Sequence, residues 1–149
     1  MAGVLVITGA SRGIGAATAR LGGRRGYKVA VNYNSNPEKA AEVVRDISAA
    51  GGTAVAIQGD VSTEEGATRL FAECDAKLGK VTALFNNAGI VTLNALIQDV
   101  RAADLDRLWR INITSQFLCA REAARRMSTR HGGKGGAIVN MSSAASYVG

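Results

Sequence analysis

The chain has 149 residues, 18 Lys and Arg against 12 Asp and Glu, 47% apolar side chains, 18 glycines and a single proline. That length suits one compact domain spanning 1–149, and high apolar content with a net charge of only +6 excludes a disordered chain. Two cysteines, Cys74 and Cys119, exclude a disulfide-stapled scaffold and a Cys-rich zinc site; both are expected in the core, and no metal centre is expected. The opening apolar run, Val4 to Ile7, is too short for a signal peptide or a membrane span, so the expected setting is cytoplasmic with no membrane partner.

Residues 3–8 read as a buried strand ended by Gly9, followed by a helix over about 13–25 that breaks at Gly26. A second strand covers 28–33. Ser35 and Glu38 have capping-box spacing, and Pro37 falls in the first turn of a helix that runs to about Ala50. The third strand is 53–58. Ser62 and Glu65 repeat the capping-box pattern before a helix with Leu70, Phe71, Cys74 and Leu78 on one side. A fourth strand spans about 82–86, residues 90–103 read as an irregular loop, and 104–130 is mostly helical. Its apolar side is read as Leu105, Leu108, Trp109, Phe117 and Leu118. A glycine-rich turn, Gly132 to Gly136, precedes a fifth strand at 137–141. Strands that are apolar throughout and alternate with helices imply an α/β fold: a parallel sheet covered on both faces, doubly wound and Rossmann-like.

The charge is uneven. Arg12, Arg20, Arg24, Arg25 and Lys28 have no acid among them, and Arg121, Arg125, Arg126, Arg130 and Lys134 face only Glu122. Helical spacing of Arg121, Arg125 and Arg130 beside an apolar stripe reads as a solvated or interface face, and no groove-reading motif accompanies it; nucleic acid is not an expected partner.

The turn after the first strand is Thr8-Gly9-Ala10-Ser11-Arg12-Gly13-Ile14-Gly15. Glycines there permit a tight turn and close approach of the backbone to a ligand. The helix that follows presents free N–H groups and a positive dipole end to a pyrophosphate. The position, after an apolar strand and opening a helix, is that of a dinucleotide fingerprint, although Gly-x3-Gly-x-Gly differs from the common G-x-G-x-x-G.

With this turn, Asn86-Asn87-Ala88-Gly89 after the fourth strand, Asn112 in the long helix and Ser142-Ser143 ending the fifth strand, the sequence resembles the short-chain dehydrogenase/reductase family. It looks nearest to ketoacyl-reductase-like and glucose-dehydrogenase-like members. The resemblance spans the whole chain and implies strand order 3-2-1-4-5, an NAD(P)-dependent oxidoreductase, and a homodimer or homotetramer built partly on the long helix. It implies that Gly9, Ser11, Arg12, Gly13, Ile14 and Gly15 hold the cofactor, that Asp60 and Val61 flank its adenine, and that Asn87, Ala88 and Gly89 line it. From the residues alone, Asp60 reads equally as a turn residue leading into the Ser62 cap.

The second strand ends Asn32-Tyr33-Asn34-Ser35, with no carboxylate to bond a ribose 2′-OH or repel a 2′-phosphate. Arg12 supplies positive charge, and Asn34 and Ser35 supply hydrogen bonds, so NADP(H) is favoured over NAD(H). By resemblance, Ser143 bonds the oxygen of a small carbonyl or alcohol substrate and Asn112 holds a water in a proton relay. The family's Tyr-x3-Lys has no match after Ser143, and Tyr147 stands too close to that serine to serve. The expectation is therefore a Rossmann domain truncated after its fifth strand, inactive by itself, from a parent oxidoreductase. The alternative is a naturally truncated, non-catalytic nucleotide-binding or interaction module. An apolar edge at 137–141, which further strands should cover, favours the first.

Overall fold

The computed structural model describes residues 2–91 and 96–144. Strands β1 (Val4–Ile7), β2 (Lys28–Tyr33), β3 (Thr53–Gln58), β4 (Ala83–Asn86) and β5 (Ala137–Asn140) form one sheet in the order β3-β2-β1-β4-β5. All four pairings are parallel. The strand order and the parallel sense agree with the expected doubly wound, Rossmann-like arrangement.

Alternation along β1 shows how the sheet builds two cores. Val4 and Val6 join Ala30 and Ile57 under helix α3 (Glu64–Lys77), through Leu70, Phe71 and Cys74, and under α5 (Ser115–Met127), through Cys119, Ala123 and Met127. Leu5 and Ile7 point to the opposite face, where Val29 and Val31 meet α1 (Gly13–Arg24) and α2 (Pro37–Ala49) through Ala16, Ala19, Ala40, Val43 and Ile47. Both cysteines are buried, as expected, and burial pushes each thiol up to about 12.

Two helix starts differ from expectation by one residue. Asn36, not Ser35, caps α2, its Oδ1 accepting from the Lys39 N–H at 3.0 Å. Pro37 takes the first helical position, where a missing N–H costs nothing, so the residue before it becomes the cap. Thr63, not Ser62, caps α3, its Oγ1 accepting from the Gly66 N–H at 3.0 Å. Ser62 is taken by Asp60 instead: its N–H and hydroxyl both donate to Asp60 Oδ1, at 3.0 and 2.7 Å.

The region expected as helix 104–130 is two helices joined by a π turn. Helix α4 (Ala102–Trp109) passes through the wide turn Arg110–Thr114 into α5, and a short 3-10 turn at Thr129–His131 follows. Side chains take carbonyls around the widened turn: Ser115 Oγ donates to Ile111 O at 2.6 Å and Gln116 Nε2 to Asn112 O at 3.0 Å. The expected loop 90–103 contains a 3-10 turn at Ile97–Asp99; its residues 92–95 lie outside the described residues, as does Tyr147.

The face of this helical pair differs too. The buried positions of α5 are Ser115, Cys119, Glu122, Ala123 and Met127. Leu118 is half-buried against the core, whereas Leu105, Trp109 and Phe117 are exposed. The apolar stripe read from the sequence is thus largely a second, outward face.

Candidate functional site

Strand order reverses between β1 and β4, and in open parallel sheets a crevice forms outside the strand ends at such a switch point. Here the turns after β1, β2, β3 and β4 surround a cleft of about 530 Å³, with Arg107 of α4 and Ile111 of the π turn on its wall.

Polar side chains stitch these turns together. Thr8 is buried, and its Oγ1 accepts from the N–H groups of Asn87 and Ala88, both at 2.9 Å. Asn87 Nδ2 returns bonds to the carbonyls of Thr8 and Gly9, at 3.0 and 3.2 Å. On the other side, buried Asn32 accepts from Gly9 N–H at 3.2 Å and donates to the carbonyls of Ile57 and Gly59, at 3.3 and 3.0 Å. The first turn is therefore fixed from both neighbouring strands.

Gly9 and Gly13 have φ of +61° and +56°, backbone that favours glycine. A Cβ at Gly15 would lie 2.6 Å from Asn87 Nδ2 and 2.7 Å from Gly9 O, so α1 begins in backbone contact with the turn. Arg12, at the cap position of α1, makes no side-chain capping bond, and no acid occupies the first turn. The positive end of that helix dipole is left without a side-chain counter-charge beside the cleft.

Gly9, Ser11, Arg12, Gly13, Ile14, Asn34, Ser35, Asp60, Val61, Asn87, Ala88 and Gly89, all singled out in the sequence, line the cleft together. Gly15 does not line it; it packs beneath the turn. Asp60 lines the cleft and is also the turn residue bonded to Ser62. Asn112 lies next to the β4 turn, its Nδ2 donating to Ile90 O at 2.9 Å and its Oδ1 accepting from Ile90 N–H at 2.8 Å. Ser143 follows the C-terminal end of β5, is exposed, and does not line the cleft.

The sequence reading missed several groups. Asn32 looked only like the absence of an acid, yet it is the clamp just described. Lys39 and Arg107 also line the cleft. Lys39 left a signal, a cation in the first turn of a helix, where the dipole disfavours it. Arg107 left none, because the phase of its helix against the sheet is not written in local spacing.

A model of the family described as short chain dehydrogenase matches residues 3–149. This chain is a short-chain dehydrogenase by family. It is similar to the uncharacterized oxidoreductase YgfF of Escherichia coli (strain K12), 44% identical over 146 residues, 98% of this chain and 59% of that protein. Versicolorin reductase 1 of Aspergillus parasiticus is 46% identical over 131 residues, 88% of this chain and 49% of the relative. Among solved structures, acetoin dehydrogenase from Enterobacter cloacae superposes with a TM-score of 0.89 at 33% identity, covering 100% of this chain and 58% of that one. The chain thus spans between 49% and 59% of the length of the two curated relatives.

Short-chain dehydrogenases bind a nicotinamide dinucleotide, and the geometry here fits such a group. The first turn brings positive-φ glycines and the uncountered helix dipole to one wall of the cleft, where a pyrophosphate needs N–H donors and positive potential.

Proposed function

We propose that this chain carries the cofactor site of an oxidoreductase that moves a hydride between NADP(H) and the carbon of a small carbonyl or secondary alcohol. The observation that carries the reading is the cleft itself, lined by residues of four successive strand-to-helix turns and walled by the start of α1. When bound, the cofactor supplies the hydride-carrying carbon. The protein's part is to hold, orient and exclude water. The first turn and the start of α1 bind the pyrophosphate, Asp60 and Val61 flank the adenine, and Asn87, Ala88 and Gly89 line the remainder. Arg12, Asn34 and Ser35 receive the 2′-phosphate, with no acid among Asn32, Tyr33, Asn34 and Ser35 to repel it.

Ser143 donates a hydrogen bond to the substrate oxygen. Asn112 acts through its backbone carbonyl, which holds a water beside the bond from Gln116, because both polar atoms of its amide are engaged by Ile90. No Tyr-x3-Lys follows Ser143 in the 149 residues, so this polypeptide is expected to bind the cofactor without turning over substrate. Its partner is a second copy of itself, in a homodimer or homotetramer that covers the outward apolar face of α4 and α5.

Fluorescence titration with NADPH and NADH tests the assignment. The protein is expected to bind NADPH more tightly. Asn34→Asp sets a carboxylate against the 2′-phosphate, and the NADPH affinity should fall about tenfold or more while NADH is spared. An unchanged NADPH preference in that variant overturns the 2′-phosphate reading; no binding of either cofactor overturns the site.

A further inference from the structure

In a parallel sheet wound by helices, the helix-to-strand turns lie at the amino ends of the strands, opposite the cleft. Six cations stand there: Arg24 and Arg25 where α1 ends, Lys28 where β2 begins, Lys80 before β4, and Arg130 and Lys134 before β5. All six are exposed, and residues 24–28, 50–53, 77–82 and 128–136 contain no acid. Acids towards the ends of α2 and α3 are engaged elsewhere: Asp46 with Arg20, Glu73 with Lys77 and Asp75 with Arg126, each at 2.7 Å. None of the six cations forms an ion pair among the described residues. Setting these six aside reduces the 18 Lys and Arg to 12, against 12 Asp and Glu, so the whole net charge of +6 resides at this end.

The turns adjoin one another. At the strand starts Lys28 stands beside Val4 and Thr53, and Ala83 beside Ala137. Lys28 Nζ donates to Leu78 O at 3.4 Å, Thr82 N–H to Val4 O at 2.9 Å and Ala137 N–H to Thr82 O at 3.1 Å. With neighbouring strands about 4.8 Å apart, the cations from β2 to β5 span about 15 Å. That is roughly two Debye lengths at physiological salt, so they act on one surface together. The dipole of α1 favours Arg24 and Arg25 at its carboxyl end, but Lys28, Lys80 and Lys134 belong to no helix and gain nothing of that kind.

The chemistry of the turns narrows the partner. None of the large hydrophobics exposed among the described residues lies in them, and Tyr27 packs against the core. A protein partner would be gripped through apolar or aromatic anchors, and a nucleic acid through stacking platforms or a groove-reading element. An anionic bilayer needs neither, because each cation held near its plane adds to the attraction without a pocket. We propose that this end of the sheet docks on an anionic lipid surface. The contact is peripheral and needs no apolar span. It turns the opposite end, with the cleft, towards solvent, where cofactor and substrate can reach it.

The test is co-sedimentation with phosphatidylcholine vesicles, with and without roughly one quarter phosphatidylglycerol. Wild-type protein should bind only the anionic vesicles, and raising salt from about 50 to about 500 mM should release it. Arg130→Glu combined with Lys134→Glu should weaken binding about tenfold or more, and so should the independent pair Arg25→Glu with Lys80→Glu. A control with the same change in charge, Arg69→Glu with Arg110→Glu, should stay within about threefold of wild type. Its residues lie away from this end, Arg69 bonded to Gln58 at the carboxyl end of β3 and Arg110 in the π turn. Thermal melts identify any variant that fails to fold, and the other end pair then decides. Equal weakening in the control and the end pairs would mean that bulk charge, not this end, binds lipid, and would overturn the proposal. So would wild-type affinity in both end pairs. Failure of wild-type protein to bind anionic vesicles also overturns it, whether or not polyaspartate or duplex DNA binds instead.

Discussion

At the residue scale, the cleft depends on atoms that leave no room for others. Gly15 is the sharpest case, because a methyl group there meets the Gly9 carbonyl at 2.7 Å and Ala10 Cα at 3.0 Å, neither of which is the end of a flexible side chain. Gly15→Ala should displace the first turn, cost about 1–3 kcal/mol in stability and weaken NADPH binding about tenfold. Thermal melts and a fluorescence titration would check both, and wild-type NADPH affinity in that variant would remove the turn from the cofactor site. Asn32 shows the complementary principle. A buried carboxamide is costly unless satisfied, and here donor and acceptor both are, which ties β1, β2 and β3 into one rigid rim.

At the element scale, α5 is held to α3 by charge as well as by packing. The Glu122 side chain is only 4% exposed, yet it meets Arg126 Nη1 at 2.9 Å, Arg125 Nη1 at 3.0 Å and Arg121 Nε at 3.4 Å. Arg126 also reaches Asp75 and lies 5.3 Å over the Phe71 ring. Burial raises the carboxyl pKa of Glu122, but the three guanidinium groups outweigh it and the net shift is below the usual 4.5. A depressed folded-state value means that stabilisation is present above the ordinary glutamate range and is lost as the pH falls through it. The melting temperature should therefore hold from neutral pH down to about 5 and drop below 4.5. Glu122→Gln should cost about 3 kcal/mol at neutral pH, the low end for a broken buried pair because Arg121 and Arg125 remain partly hydrated, and should flatten the acid limb. A variant whose pH profile parallels wild type would show that the carboxylate contributes nothing to it. The arginine-rich stretch that looked like a charged face from spacing alone is in large part this intramolecular network.

At the scale of the whole molecule, the outward face of the α4–α5 pair stands out. Leu105, Trp109, Ile113 and Phe117 recur at intervals of four residues, and Trp109 and Phe117 are 58% and 74% exposed. Apolar side chains aligned along one helical face in this way mark association surfaces. On the proposal that this face pairs two copies of the chain, wild-type protein should sediment as an oligomer and the combined Trp109→Glu, Phe117→Glu variant as a monomer, with NADPH affinity held within about twofold because neither residue lines the cleft. Identical sedimentation of variant and wild type would exclude this face as the interface. The sheet contributes its own exposed margin, since β5 lies at the edge and all four of its residues are exposed.

The sequence by itself determined the alternation of strands and helices, the parallel sheet and the glycine turn after β1. Each of these is written in local spacing: runs of apolar residues between glycines, and glycine where the backbone must turn tightly or approach closely. The Asn-Asn-Ala-Gly turn was legible as a motif, and it proved to be bolted to the first turn through Thr8. Caps were legible to within one residue, because several neighbouring Ser, Thr and Asn side chains compete for the same N–H and only the packed turn selects the winner. Periodicity in 104–130 pointed to one apolar side, Leu105, Leu108, Trp109, Phe117 and Leu118, and the face that meets the sheet is largely another. That choice fell to the face carrying Cys119, Ala123 and Met127, small or flexible side chains that let α5 lie close, and it turned the larger apolar residues outward. Tertiary structure alone brought Lys39 and Arg107 to the cleft wall and closed Glu122 among its arginines. Such groupings depend on how distant turns and helices converge in space, and hydrophobic period carries no record of that.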